Sequence, residues 1–249
     1  TPKRLTLPEI DAATTYSAAL VYASEPEEAA RLCETMHHRC SRTGRHRGSA
    51  AFLVNRAIAL HRLGRRNEAS DALAAARAIQ HLHGDNNVFA NHAVIAARLA
   101  VERADPAAAR LLLDEAITAS VGIDDAGLLG ESWACVLDLA NQTGDLNEAR
   151  RALSTYGTEA AWSARDHWPA ALARWHWARG KMDQVLAATE ENRQGYGGAC
   201  ILAERARLLL ILGDREAAIE VSNALLRQQV ASEFAELHLF AKLVRGAAR

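Results

Sequence analysis

The segment Gly64-Arg65-Arg66-Asn67-Glu68-Ala69 is one of six similar segments along the chain. The others begin at Ser24, Ala104, Gly144, Gly180 and Gly213, so that successive segments start 40, 40, 40, 36 and 33 residues apart. Each opens with a small residue, usually a glycine that adopts a left-handed backbone conformation without strain, and continues with polar residues that suit the first turn of a helix. Each segment is therefore predicted to be the turn of a helical hairpin.

Small side chains recur at fixed distances from these turns. Seven residues before the six turn starts lie Ser17, Ala57, Ala97, Leu137, Ala173 and Ala206. Five residues after them lie Ala29, Ala69, Ala109, Ala149, Val185 and Ala218. Small side chains let two helices approach closely, and their spacing gives each helix an apolar stripe. The pattern predicts hairpins that pack on one another.

The composition favours an all-α fold. Alanine supplies 53 of 249 residues, whereas glycine supplies 15 and proline 5. Alanine gives up no side-chain entropy in a helix, so this composition excludes a β-sandwich or a β-barrel. Lys plus Arg is 29 and Asp plus Glu is 30, which gives no overall field toward nucleic acid. No apolar run approaches the roughly 20 residues that span a bilayer, so no membrane partner is predicted.

The turns and small residues together resemble the tetratricopeptide repeat family. The resemblance covers about residues 10–230 and implies a right-handed α-α superhelix of helical hairpins. The period near 40 is similar to that of the MalT-like repeat regions of bacterial transcriptional activators. We expect a single domain over residues 1–249, with hairpins at about 11–40, 48–83, 86–121, 125–156, 160–192 and 197–229 and a capping helix at 232–247.

The cysteines and the start of the chain give two further expectations. Cys33, Cys40, Cys135 and Cys200 show no paired short spacing, which indicates a reducing compartment and a cytoplasmic location. The chain begins at Thr1 and lacks a leader pattern, so we expect it to be a piece of a longer protein.

The first helix of each hairpin is expected to line the concave side of the stack, where a partner would bind. Six residues before the turn starts lie Ala18, Ile58, Arg98, Asp138, Arg174 and Arg207. Three residues before them lie Val21, His61, Val101, Asn141, Trp177 and Leu210. Further side chains expected on this surface are Asn55, Asn91, Glu131 and His167.

The arginines of this surface have two interpretations. Arg98, Arg174 and Arg207, with Asn141 and Trp177, are hypothesised to hold an acidic segment of a partner, because a guanidinium pairs directionally with a carboxylate. The alternative is that the arginines form ion pairs within the stack, with Asp138, Glu102 and Glu204. The residues carry no preference between the two.

Three other clusters favour structural roles. Cys33, His37, His38 and Cys40 contain metal-binding groups, but their directions on a helix do not converge, so no metal site is predicted. Arg39, Arg42, Arg45, His46 and Arg47 form a dense basic stretch around an expected connecting loop at 41–48. It has no interleaved aromatics, so it is interpreted as a solvated loop and no nucleic-acid partner is predicted for this region. Trp162, Trp168, Trp175 and Trp177 form either a packed core or a ligand pocket, with packing favoured.

Motifs for catalysis are absent: the sequence has no phosphate-binding glycine loop, no HExxH and no GxSxG. We therefore expect a non-catalytic module, without a cofactor, that binds a protein or peptide partner in its concave groove. The alternative is a sensory or regulatory domain of a MalT-like transcriptional activator that binds a small molecule or a partner protein. A third hypothesis is a helical hydrolase or transferase around Trp168–Trp177. Self-association through the apolar ends of the stack is a further expectation.

Overall fold

The structure is a computed structural model that describes residues 5–22, 25–83, 85–156, 168–189, 195–227 and 235–248. Within these ranges the regular secondary structure is α-helical throughout, which confirms the predicted all-α class. The first six helices are α1 (Leu7–Tyr22), α2 (Pro26–Arg42), α3 (His46–Arg62), α4 (Arg66–His83), α5 (Asn86–Glu102) and α6 (Pro106–Gly122). The next seven are α7 (Ala126–Thr143), α8 (Leu146–Tyr156), α9 (Trp168–Trp177), α10 (Met182–Ala188), α11 (Gly195–Ile211), α12 (Arg215–Arg227) and α13 (Ala235–Ala247).

The helices pack in sequence as adjacent pairs. Helix α1 contacts α2, and the same holds for α3 and α4, α5 and α6, α7 and α8, α9 and α10, and α11 and α12. The pairs follow the order of the predicted hairpins, and α13 follows them as the last helix of the described residues; the start of the fifth predicted hairpin, at 160–167, lies outside those residues. The loop expected at 41–48 is shorter than predicted, because α2 continues to Arg42 and α3 already begins at His46.

The first helices of the pairs also contact one another. Helix α1 contacts α3, α3 contacts α5, and the series continues through α7, α9 and α11 to α13. The first helices thus form a continuous row. Residues that contact each other across neighbouring helices of this row lie about 30 to 40 residues apart in the sequence. The row positions every side chain of the candidate site described below.

The predicted turn residues adopt the expected left-handed conformation wherever the structure describes them. Gly144 has φ 74°, and its successor Asp145 donates its amide to the oxygen of Ala140 at 3.1 Å, which closes the end of α7. Ala104 has φ 55°, a conformation that costs an alanine about 1–2 kcal/mol. Gly64, Gly180 and Gly213 follow the same pattern, and Ser24 lies outside the described residues.

The structure reveals a shorter period that the sequence analysis missed. Gly44 and Asp124 also have positive φ angles, of 68° and 55°, and they lie between hairpins. Left-handed turn residues therefore occur at positions 44, 64, 104, 124 and 144. The 40-residue repeat is thus built from two helix-and-turn units of equal length.

Aspartates fix the start of several helices. Asp105 accepts a hydrogen bond from the amide of Ala108 at 3.1 Å, and Asp125 accepts one from Leu128 at 3.0 Å. Such N-caps satisfy amides that have no partner within the helix. Asp85, Asp145 and Asp214 cap their helices in the same way.

The small residues that flank the turns form the core. All twelve positions predicted from the spacing are at most 2% exposed, from Ser17 in α1 to Ala218 in α12. Larger side chains such as Phe52 and Leu137 fill the space between them. Among the described residues, no helix combines the length and apolar character that a bilayer-spanning segment requires.

Candidate functional site

An open cavity of about 900 Å³ lies where α1, α3 and α5 meet. We call it the α1–α3–α5 cavity. Its apolar surface comes from one face of each helix, including Ala18, Val21 and Ile58. These are three of the positions that the sequence analysis placed on the concave groove. The predicted face of the first three hairpins therefore lines one continuous space.

Two predicted asparagines supply polar groups to this cavity. Asn55 donates its Nδ2 to the oxygen of Thr14 at 3.3 Å and to the Oγ of Ser17 at 2.9 Å. Asn91 donates its Nδ2 to the main-chain and side-chain oxygens of Asn87, at 3.0 and 2.9 Å. Within the described part of the chain, these bonds occupy the amide nitrogens and leave both Oδ1 atoms as acceptors. A ligand with N–H donors would match them.

The rim of the cavity is charged. Arg45, His46 and Arg47 lie at the start of α3, and Arg47 forms an ion pair with Asp85. The Nε of Arg45 is buried and has no hydrogen-bond partner among the residues that the structure describes. Asp11 of α1 also lines the cavity. The basic stretch that the sequence analysis assigned to a connecting loop thus contributes to the cavity, a role that only the packing of α3 beside α1 and α5 creates.

Most of the remaining predicted site residues that the structure describes lie further along the same row of helices, several of them in ion pairs. We call this chain of contacts across α5, α7, α9 and α11 the ion-pair row. Arg98 donates to Glu131 at 3.2 Å, with side chains only 11% and 9% exposed. Arg207 lies 3.7 Å from Glu204 and is 39% exposed. The arginines of the ion-pair row are therefore paired with carboxylates of the same row.

Arg174 lies at the centre of the ion-pair row. Its Nε and one terminal nitrogen donate to the two carboxylate oxygens of Asp138, at 2.8 and 2.6 Å. Its other terminal nitrogen donates to Glu204 at 2.9 Å. Burial would lower the pKa of Arg174, but the two carboxylates outweigh it and raise the pKa. This geometry is the ion-pair alternative that the sequence analysis left open.

His61 lies in a separate cluster with Glu102 and Arg66. Its Nε2 lies 2.7 Å from Glu102, whose second oxygen accepts from Arg66 at 2.9 Å. Burial would raise the pKa of Glu102, but the bonds from His61 and Arg66 lower it to about 2. The sequence analysis named Glu102 only as an arginine partner. Arg98 donates to Glu131, a residue expected on the open surface, while its charge also helps to lower the pKa of Glu102.

The tryptophans divide between core and surface. Trp168 is fully buried and Trp175 is 6% exposed, so both serve packing. Trp177 is half-buried beneath the guanidinium of Arg207, which lies 5.7 Å from the ring centroid, within cation–π range. Trp162 and the predicted site residue His167 lie outside the described residues.

Arg179 is a site residue that the sequence analysis missed. Its guanidinium lies over the Trp175 ring, and it donates to the Oδ1 of Asn141 at 3.5 Å. The Nδ2 of Asn141 is buried, with no hydrogen-bond partner in the described part of the chain. The sequence feature that could have identified Arg179 as a site residue is its position directly before the turn glycine Gly180.

The cysteines and histidines of α2 contact different neighbours and do not form one cluster. His37 Nδ1 lies 2.8 Å from the Oγ of Ser49. Cys33 is fully buried, and burial raises the pKa of its thiol to about 11, which disfavours the thiolate that metals bind. In the described ranges, no three His, Cys, Asp or Glu side chains are placed to hold a metal ion.

Comparison with known proteins adds no identification. No protein-family model matches the chain, and no curated protein matches it either. The site must therefore be interpreted from its own geometry.

Proposed function

We propose that this chain is a non-catalytic interaction module, a right-handed tetratricopeptide-like superhelix that binds an extended peptide segment of a partner protein. The observation that carries the proposal is the α1–α3–α5 cavity, because three consecutive first helices line one open space of about 900 Å³. Helix faces arranged in this way present a long trough rather than an enclosed pocket.

The dimensions of the cavity suit a peptide. Neighbouring packed helices lie about 8–10 Å apart, so α1 and α5 are separated by roughly 16–20 Å. An extended chain advances about 3.3 Å per residue, so about five or six residues cross the three helices.

The chemistry of the cavity suits a peptide backbone. The Oδ1 atoms of Asn55 and Asn91 are acceptors on neighbouring helices, and backbone N–H groups are the donors that every peptide carries. Ala18, Val21 and Ile58 offer apolar contact to small side chains. Specificity for an acidic segment would require a free arginine. In the ion-pair row Arg207, at 39% exposed, supports such a role better than Arg174, which a ligand would have to take from Asp138 and Glu204.

A second candidate function uses the same cavity. Its volume lies at the upper end of the range for small-molecule sites, roughly 300–1,000 Å³. This supports a regulatory domain, of the MalT-like kind, that binds a small molecule and acts on another part of a longer protein.

The test is selection of peptides against the immobilised chain from a library of about six to eight random residues. Selected peptides are then measured by fluorescence polarisation, and we expect a Kd of about 1–100 µM. Ala18→Trp fills the cavity and should weaken binding at least tenfold. Ala74→Trp places the same side chain on the exposed face of α4 and should leave binding unchanged.

Asn91→Leu provides a second variant on the opposite wall of the cavity, and it too should weaken the selected peptides. Circular dichroism confirms that each variant is folded. Peptides that bind Ala18→Trp and Asn91→Leu as tightly as the parent chain would contradict the proposal. Failure to select any peptide, together with a small molecule whose binding Ala18→Trp abolishes, would favour the second candidate.

A further inference from the structure

The last helix of the structure is apolar on two opposite faces. One face of α13 packs on α11 and α12, with Ala241 and Val244 at most 5% exposed. The other face carries Leu239 and Leu243, which are 59% and 62% exposed, with Gly246 one turn further on. A helix with apolar residues on both faces is normally covered on both. The outer face of α13 is thus suited to a partner.

The first helix of the structure also has an exposed face made of small residues. Pro8, Ala12 and Ala19 lie on one side of α1 and are exposed, and Tyr16 beside them is 54% exposed. By helical spacing this side is distinct from Ala18 and Val21, which line the α1–α3–α5 cavity. The outer face of α1 therefore offers a shallow, largely apolar surface beside the α1–α3–α5 cavity, with Thr15 at the border between the two.

The two faces are complementary in shape and in charge. The large side chains Leu239 and Leu243 match the small residues of α1, as ridges match grooves in helix packing. The exposed stripe of α13 carries Lys242, whereas α1 contains Glu9 and Asp11 and no lysine or arginine. Opposite charges at the edge of such a contact favour it and fix its direction.

The positions of α1 and α13 at the two ends of the row of first helices also favour a contact between α13 of one copy and α1 of another. Each first helix from α3 to α11 contacts the first helix before it and the first helix after it. Helix α13 contacts α11 on one side, and α1 contacts α3 on the other. A neighbouring copy that placed its α1 against α13 would continue the row with the contact that recurs within the chain.

We propose that the outer face of α13 binds the outer face of α1 of a second copy of this chain, so that copies associate head to tail. Such a contact joins two different surfaces, so each dimer keeps one free face of each kind and can add further copies. One helix on another is a small interface, and the dissociation constant is expected to be about 10–100 µM.

Sedimentation velocity over a concentration series tests the proposal. The chain has a mass of 27.0 kDa, and the weight-average mass should rise toward and beyond twice that value with concentration. Leu243→Glu removes the α13 face and Ala12→Arg removes the α1 face, and each variant alone should remain at 27.0 kDa. Leu111→Glu changes an equally exposed leucine, 65% exposed on α6, and should associate like the parent chain.

Mixing the two blocked variants gives the decisive measurement. The Ala12→Arg chain retains the α13 face and the Leu243→Glu chain retains the α1 face, so the mixture should form a one-to-one dimer and stop there. Association of Ala12→Arg by itself would show a symmetric α13 contact and overturn the proposal. A parent chain that stays monomeric up to about 0.5 mM, or a mixture that stays monomeric, would overturn it as well.

Discussion

Replacing Arg174 by methionine should destabilise the protein, because it leaves two carboxylates of the ion-pair row without their partner. Asp138 and Glu204 are 24% and 18% exposed, and three hydrogen bonds of 2.6 to 2.9 Å join them to Arg174. Breaking a fully buried ion pair costs about 3–5 kcal/mol. Solvent screening at these exposures reduces the expected loss to about 2–3 kcal/mol.

The measurement is urea and thermal unfolding followed by far-ultraviolet circular dichroism. For a chain of this length, 2–3 kcal/mol corresponds to a decrease in Tm of about 5–10 °C. A triple variant, Arg174→Met with Asp138→Leu and Glu204→Met, removes the unpaired charges and should recover stability to within about 1 kcal/mol of the parent chain.

Arg77→Met is the matched control. Arg77 also joins two helices through a carboxylate, Glu115, but at 3.3 Å and with 38% exposure, so its loss should cost less than about 0.5 kcal/mol. Equal effects of Arg174→Met and Arg77→Met would refute the reasoning. The arginine would then contribute nothing to the stack, and its role in binding an acidic partner would regain support.

The remaining predictions concern a turn and a titration. Ala104 has φ 55°, so Ala104→Gly should raise the free energy of unfolding by about 0.5–1 kcal/mol, whereas Gly144→Ala, at φ 74° with open space around the new Cβ, should lower it by about 1 kcal/mol. Urea unfolding measures both, and effects of equal sign would contradict the left-handed assignment. The folded-state pKa of Glu102 is about 2, below the ordinary value of 4.5, so its contribution of about 2 kcal/mol is fully present above pH 4.5 and is lost as the pH falls toward 2. Glu102→Gln should flatten the stability curve in that pH window, and an unchanged curve would show that the pair with His61 does not form.

The helices and turns of this protein could be predicted from sequence because their causes are local. A small residue in a left-handed conformation ends a helix, an aspartate after it begins the next, and both signals lie within a few residues of Gly144 and Asp145. The buried positions followed from the same spacing, since Ala57 and Ala69 recur at fixed distances from the turns. The all-α class and the sequential pairing of the helices were therefore predictable. A loop at 41–48, which contains Gly44, was expected, but the 20-residue spacing of the turns was missed because only one turn in two was counted as part of the repeat.

The candidate site could be predicted only as a set of positions. Ala18 and Ile58 were identified because their places before the turns resemble the groove-facing positions of tetratricopeptide repeats, and Asn55 was expected to join the same surface. What these residues do together depends on neighbours 30 to 40 residues away. Glu131 was expected on an open surface, but it is 7% exposed because α5 and α7 bring it against Arg98.

The sequence by itself determined the positions of most turns and which side of the first helices is apolar, since hydrogen bonding and side-chain spacing act within one or two turns. Only the tertiary structure decided that Arg174 bridges Asp138 and Glu204 and that α1, α3 and α5 line one open cavity. Ion pairs and cavities depend on the lateral and axial position of separate helices to within about 1 Å, and that position is fixed by the packing of all side chains between them.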